Sequence, residues 1–289
     1  MAVHDRRYKP YSGTLTPLAG RFLILPRYAF KDVFKSRLLV VFYGITALVP
    51  LGFATWIYFA NNIDALSAVR AIGINIGDFV AIDEGFFAAF LGTQGVFAFF
   101  LTMFIGPGLV SRDLANNGLP LYLSRPISRA DYVLGKLTIL LTLLSIITWV
   151  SGLALFALNA SMTRWSWMFE NLHIALAIVV GSSLWIGLLA LLALALSAWV
   201  RWKVIAGFML FAIFAAGDFF SLFVLGLFGS TWGFVAQPDH LIAIITARIL
   251  GITPPPGPPL FACIMVVAAS YAICLLLLNR RIRAYQVVA

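Results

Sequence analysis

Few residues able to do chemistry stand together in this chain. Asp218 lies inside a long apolar run, in Gly217-Asp218-Phe219-Phe220-Ser221. A carboxylate at that depth costs about 2.5–3.5 kcal/mol on insertion scales, so it must face other helices or a wet cavity rather than lipid. Counted from Val204, it stands about 21 Å along its helix at 1.5 Å per residue. Ser221, one turn on, and Gln94, from an earlier run, could continue a substrate route past it. The other reading of the same carboxyl is structural: protonated or hydrogen-bonded, it would pin two helices together. Ser182 and Ser183 are candidate partners in that case, although small polar residues often serve close helix packing.

The second feature is the polar segment 113–136, Asp-Leu-Ala-Asn-Asn-Gly-Leu-Pro-Leu-Tyr-Leu-Ser-Arg-Pro-Ile-Ser-Arg-Ala-Asp-Tyr-Val-Leu-Gly-Lys, set between two apolar runs. A short helix from Asp113 to Asn117 is expected to stop at Gly118 and Pro120. A turn anchored at Arg125-Pro126 follows, and Ser128 or Asp131 is able to cap the next helix. Such a segment makes a small rigid surface suited to docking a partner, or else an ordinary solvated loop whose basic residues fix topology. Several chemistries find no residues. Gly135-Lys136 is followed by Leu137 where a phosphate-binding loop needs Ser or Thr, so the chain is not expected to hydrolyse ATP. There is no Ser-His-Asp set, no paired-histidine zinc helix and no carboxylate pair within one apolar run. Enzyme activity, a metal and a cofactor are therefore not expected.

The elements that position these residues follow from composition. Hydrophobic residues make up 62% of the 289-residue chain, charged residues 11%, and the mean hydropathy is +0.99. A soluble domain could not bury that much apolar surface, so lipid must be the solvent for most of it. Six continuous runs, 38–60, 86–110, 137–158, 172–199, 204–227 and 260–278, each match the length of about 20 residues that a helical crossing needs. Continuous rather than alternating runs argue for helices over a barrel. A seventh apolar stretch, 241–252, is too short to cross and reads as re-entrant or interfacial. The run Pro254-Pro255-Pro256-Gly257-Pro258-Pro259 then leads stiffly into the last helix. Cys263 and Cys274 sit on that helix roughly 16 Å apart, too far for a disulfide and suited to packing.

The net charge of +9 comes from 20 Lys and Arg against 11 Asp and Glu. The basic residues gather at the ends of the apolar runs and form no basic domain, so topology explains them and nucleic acid is not an expected partner. Arg70, Arg164 and Arg248 fall on one side; the remaining Lys and Arg fall on the other. Both termini are accordingly expected in the cytoplasm. Residues 1–37 read as a polar tail followed by a basic, aromatic helix lying at the lipid headgroups, and 38–289 as the six-helix domain. No cleavable signal peptide is expected; the first crossing helix would serve as its own insertion signal.

The run 121–136, Leu-Tyr-Leu-Ser-Arg-Pro-Ile-Ser-Arg-Ala-Asp-Tyr-Val-Leu-Gly-Lys, resembles the signature of ABC-2 type permease subunits. In that family an acidic residue and a glycine precede a Leu-rich stretch, then Ser-x-Pro-x-Ser-Arg, then Gly-Lys entering the third helix. The six-helix count, the cytoplasmic termini, the interfacial helix and the re-entrant segment are similar too. Many members carry paired acids and a Ser-Gly or Thr-Gly step, where this chain has the single Asp113, Ala115 and Asn116-Asn117. The resemblance implies a dimeric exporter subunit of the bacterial cytoplasmic membrane, coupled to a separate ATP-binding subunit. The coupling residues would be Asp113, Asn116, Asn117, Gly118, Arg125, Pro126, Arg129, Gly135 and Lys136, with Asp218, Ser221 and Gln94 as a possible substrate path. A second copy of the permease and membrane lipid would be its other partners. The alternative is a six-helix membrane scaffold that recruits a cytoplasmic partner and moves nothing.

Overall fold

The computed structural model describes residues 30, 34–62, 82–116, 129–200 and 202–281, and helix is the only regular structure among them. The α-helices are α1 (Arg37–Asn61), α2 (Glu84–Ile105), α3 (Pro107–Ala115), α4 (Arg129–Ser145), α5 (Ser151–Met162), α6 (Trp165–Glu170), α7 (Leu172–Trp199), α8 (Lys203–Phe228), α9 (Pro238–Leu250) and α10 (Leu260–Arg281). A π-helical turn, Ile146–Val150, joins α4 to α5, and a 3-10 helix, Thr231–Ala236, precedes α9. Six stretches are long and apolar enough to cross a membrane: α1, α2 into α3 (Glu84–Ser111), α4 through α5 (Ala130–Met162), α7, α8 and α10. This is the architecture of a multi-pass membrane protein. The six runs expected from the sequence are all present. The interfacial helix expected within 1–37 lies almost wholly outside the described residues.

One end of the bundle carries Arg37, Lys136, Lys203, Arg280 and Arg281, and is called the basic end below. Exposed tryptophans mark both ends, Trp199 and Trp202 at the basic end and Trp165 and Trp232 at the other. This is the placement that amphipathic indoles take at the two faces of a bilayer. Arg281 stacks over the Trp199 ring at 5.5 Å.

The core is organised around α7. Over half of its most apolar window is buried (56%), against 6% for α1. Lipid tails are as apolar as leucine, so helices gain little from hydrophobic burial alone and associate by close packing of small residues. The buried positions of α7 supply these: Ala177, Gly181, Ser182, Ala190, Ala193, Ala195, Ser197 and Ala198. A Cβ on Gly106, between α2 and α3, would lie 2.7 Å from Ala193 Cβ and 2.8 Å from the Thr102 carbonyl oxygen. Glycine is therefore what allows α2 and α3 to reach α7.

Two expectations change at the basic end. The short helix expected from Asp113 to Asn117 is instead the last turn of α3, which starts at Pro107 and ends at Ala115. Proline, with no N–H and a preset φ, is suited to a first helical position, so the chain breaks after Gly106 and starts a new helix there. The third crossing begins at Ala130, earlier than the expected 137. Tyr132 is fully buried and Lys136 only 8% exposed, so this polar start packs into the bundle.

Candidate functional site

The candidate site is a cavity of about 580 Å3 between α2, α7, α8 and α9, within the usual size range of small-molecule pockets. Gly92 and Gly95 of α2 leave it room, and Phe99, Trp185 and Phe214 form an aromatic wall. The Phe99 and Phe214 centroids are 5.1 Å apart and those of Trp185 and Phe214 5.6 Å, both edge-on. Trp185 is held in place by its Nε1, which donates to the Gly95 carbonyl at 2.9 Å. The π turn contributes Thr148 to the same wall. π turns inside α-helices concentrate at functional sites.

Two acids line the cavity, Asp218 of α8 and Asp239 in the first turn of α9; among the described residues its lining holds no Lys, Arg or His. Asp218 Oδ1 accepts a 2.7 Å hydrogen bond from Gln237 Nε2, a neutral donor. Asp239 reaches solvent but is crowded by protein. That desolvation pushes its carboxyl above the usual aspartate range, while backbone N–H groups at the start of α9 oppose the shift and the Asp218 charge adds to it. Ser182 is 5% exposed and forms part of the wall, yet its Oγ has no hydrogen-bond partner. Buried hydroxyls are normally satisfied, so this one is a vacant donor and acceptor within the protein. Thr148 and Thr246, by contrast, donate to the Leu144 and Ile242 carbonyls of their own helices.

The approach of α9 to this wall depends on a few residues. Gly229, with φ of +61°, ends α8 in the left-handed conformation. Ser221 then donates to both the Gly217 and Gly233 carbonyls, at 2.8 and 2.9 Å, fixing the 3-10 helix on α8. Gln237 and Pro238 start α9, and His240 ties it to the proline run through a 2.8 Å contact of Nε2 with the Pro256 carbonyl. His240 also stacks on Phe234 at 4.3 Å.

The second constellation is at the basic end. Asp113 of α3 accepts from Tyr132 Oη and pairs with Lys136 Nζ, both at 2.8 Å and both on α4. On its other side α3 is gripped by α7. Ser197 Oγ donates to the Pro107 carbonyl at 2.7 Å and accepts from the Val110 and Ser111 amides at 3.2 and 2.8 Å. A hydroxyl from another helix has thus entered the hydrogen-bond ladder of α3, a recognised cause of helix bending. The helices α3 and α4, on either side of 117–128, are therefore fastened to each other and to the core.

Of the residues singled out from sequence, Asp218 lines the cavity. Ser221 and Gln94 are fully buried away from its lining, Ser221 under the 3-10 helix and Gln94 between α1 and α2. Asp113 and Lys136 meet each other, buried Gly135 lies in α4 beside Lys136, and Asn116 is exposed at the end of α3. Asn117, Gly118, Arg125 and Pro126 lie outside the described residues, and Arg129 begins α4. Sequence reasoning missed Asp239, Trp185 and the partners of Ser197. Asp239 had a usable signal, an acid directly after proline at a helix start. Comparison with known protein families and with curated proteins gives no match to the chain.

Proposed function

We infer that this chain is the membrane-spanning permease subunit of an ATP-driven exporter of the ABC-2 type, in the bacterial cytoplasmic membrane. The observation that carries the reading is the fastening of α3. Asp113, Tyr132 and Lys136 join it to the third crossing and Ser197 joins it to α7. A force applied to the segment between α3 and α4 would reach α2, α4 and α7 together, and α2 and α7 run on to the cavity wall. At 1.5 Å per residue the cavity lies about 17 Å above this foot, measured along α8 from Gly207, beside Pro107, to Asp218.

In this reading the basic end faces the cytoplasm by the positive-inside rule, with both termini there. The helix α9, 13 residues long, enters from the outer face and returns, because it is too short to cross. Closure of a separate ATP-binding subunit pushes the 113–136 segment and rocks the helices of a permease dimer, made with a like or unlike second copy. The chain itself catalyses nothing.

The test is affinity purification of the full chain from native membranes in mild detergent, with mass spectrometry of co-eluting proteins. A stoichiometric partner bearing a phosphate-binding loop, lost on deletion of residues 116–118, supports the reading. A clean preparation without an ATPase, repeated after crosslinking, removes it and leaves the six-helix scaffold.

A further inference from the structure

The titratable side chains in the lining of the cavity are both acidic. A chain with nearly twice as many basic as acidic residues places two carboxylates and no described cation around this space. Asp218 is engaged by a neutral amide, and Asp239 by backbone N–H groups, with His240, outside the lining, acting on it electrostatically. Neither carboxylate has a cationic side chain against it within the lining. The rest of the wall is apolar and aromatic, and rings of Trp and Phe attract organic cations through their negative faces. The unpartnered Ser182 hydroxyl adds one polar contact without charge.

We propose that this cavity binds amphipathic organic cations, with the Asp218 and Asp239 carboxylates holding the cationic centre and Phe99, Trp185 and Phe214 holding its apolar body. This names a substrate class for the exporter and rests on that reading for the movement of the bound cation, though not for its binding. The acids supply what lipid tails cannot: a bulky cation leaving the bilayer surface loses its contact with lipid phosphates and gains two exposed carboxyl groups set on an apolar, aromatic wall. An acidic wall without Lys or Arg also disfavours anions of the same shape.

The test uses the purified full chain in lipid nanodiscs, without any ATPase, and two probes of matched size and opposite charge, tetraphenylphosphonium and tetraphenylborate. Saturable tetraphenylphosphonium binding is measured by equilibrium dialysis as the fraction displaced by excess unlabelled probe. The expected result is one site per chain, with tetraphenylborate at least about tenfold weaker, equivalent to about 1.4 kcal/mol. Asp218→Asn and Asp239→Asn should each weaken tetraphenylphosphonium about tenfold, and Glu84→Gln, whose residue is absent from the lining, should leave it unchanged. Asparagine at 218 can still accept from Gln237, so the fold is kept, and gel-filtration profiles check this. Equal binding of both probes, no saturable component, or wild-type affinity in both aspartate variants overturns the proposal. Because no partner is present, such a failure removes the cation site and leaves the permease reading to the co-purification result.

Discussion

Gln94 donates its Nε2 to the Thr46 carbonyl at 3.1 Å, and Thr46 is the residue whose carbonyl Pro50 leaves unpaired in α1. An α-helix pairs each carbonyl with the N–H four residues on, and proline has none. In a membrane no water is at hand to satisfy that oxygen, so a neighbouring helix must. Gln94 is fully buried and does so from α2. This accounts for a buried amide that is otherwise expensive to embed, and it gives the glutamine a structural task away from the cavity.

The pairing makes a conditional prediction. Gln94→Leu should destabilise the chain by about 1 kcal/mol, a modest loss because the side chain's own Oε1 is unpartnered and its removal offsets part of the cost. In a Pro50→Ala background the helix can pair the Thr46 carbonyl itself, and the cost should fall toward zero. Denaturant unfolding of the four proteins in detergent closes the cycle. Equal costs in the two backgrounds would refute the account.

At the basic end, Lys136→Met should cost on the order of 3 kcal/mol, because the largely buried Asp113 loses its opposite charge. The double change Asp113→Asn with Lys136→Met should recover at least half of that, since asparagine needs no counter-charge and can still accept from Tyr132. Thermal unfolding followed by tryptophan fluorescence measures both. An additive double variant would show that the two groups act independently.

The α2–α3 junction gives a steric prediction. Gly106→Ala drives a methyl against Ala193 and the Thr102 carbonyl and should cost about 1–3 kcal/mol. Gly52→Ala on α1 meets nothing within 4 Å and should stay within about 0.5 kcal/mol. The comparison is read from detergent melting curves.

Asp239 sets a pH dependence. Its folded pKa is raised, so it stabilises the fold below the ordinary aspartate range and loses that contribution as pH rises through the raised value. Tetraphenylphosphonium binding should run the opposite way, weakening as acidification protonates the same carboxyl. The charged or titratable groups acting on it are Asp218 across the cavity and His240 beside it on α9. Asp239→Asn should remove the Asp239 step from both curves; if both steps persist unchanged in the variant, another group carries them.

What the sequence disclosed depended on range. Run length located all six crossings because the hydrocarbon thickness sets a length that no other element shares. Asp218 was legible as a carboxylate that must face a cavity, which it does as an exposed group on the cavity wall, and the helix after residue 237 as an apolar stretch too short to cross. The start of α4 was missed because Lys136 looks like a boundary until Asp113, far away in the chain, is seen beside it. Ser221 and Gln94 were read as a polar path, but both satisfy backbone carbonyls, and which carbonyl a side chain reaches depends on helix rotation. Gln94 could have been placed by asking which residue serves the carbonyl that Pro50 orphans. Asp239 joined the site only through the fold-back of α9, which composition does not encode.

The π turn between α4 and α5 has a consequence for how the third crossing tolerates change. Tyr132, Lys136, Leu140, Leu144, Thr148, Gly152, Phe156 and Ala160 are all buried and fall every fourth residue. On an unbroken α-helix such a row drifts about 40° per step and would wind about 280° round the axis, turning part of itself to lipid. The π turn takes up one extra residue and returns about 100° of that drift. The span therefore carries a spare residue at Ile146–Val150: losing one there leaves both halves facing their present neighbours, whereas losing one at Leu140 or Phe156 swings half the helix out of register.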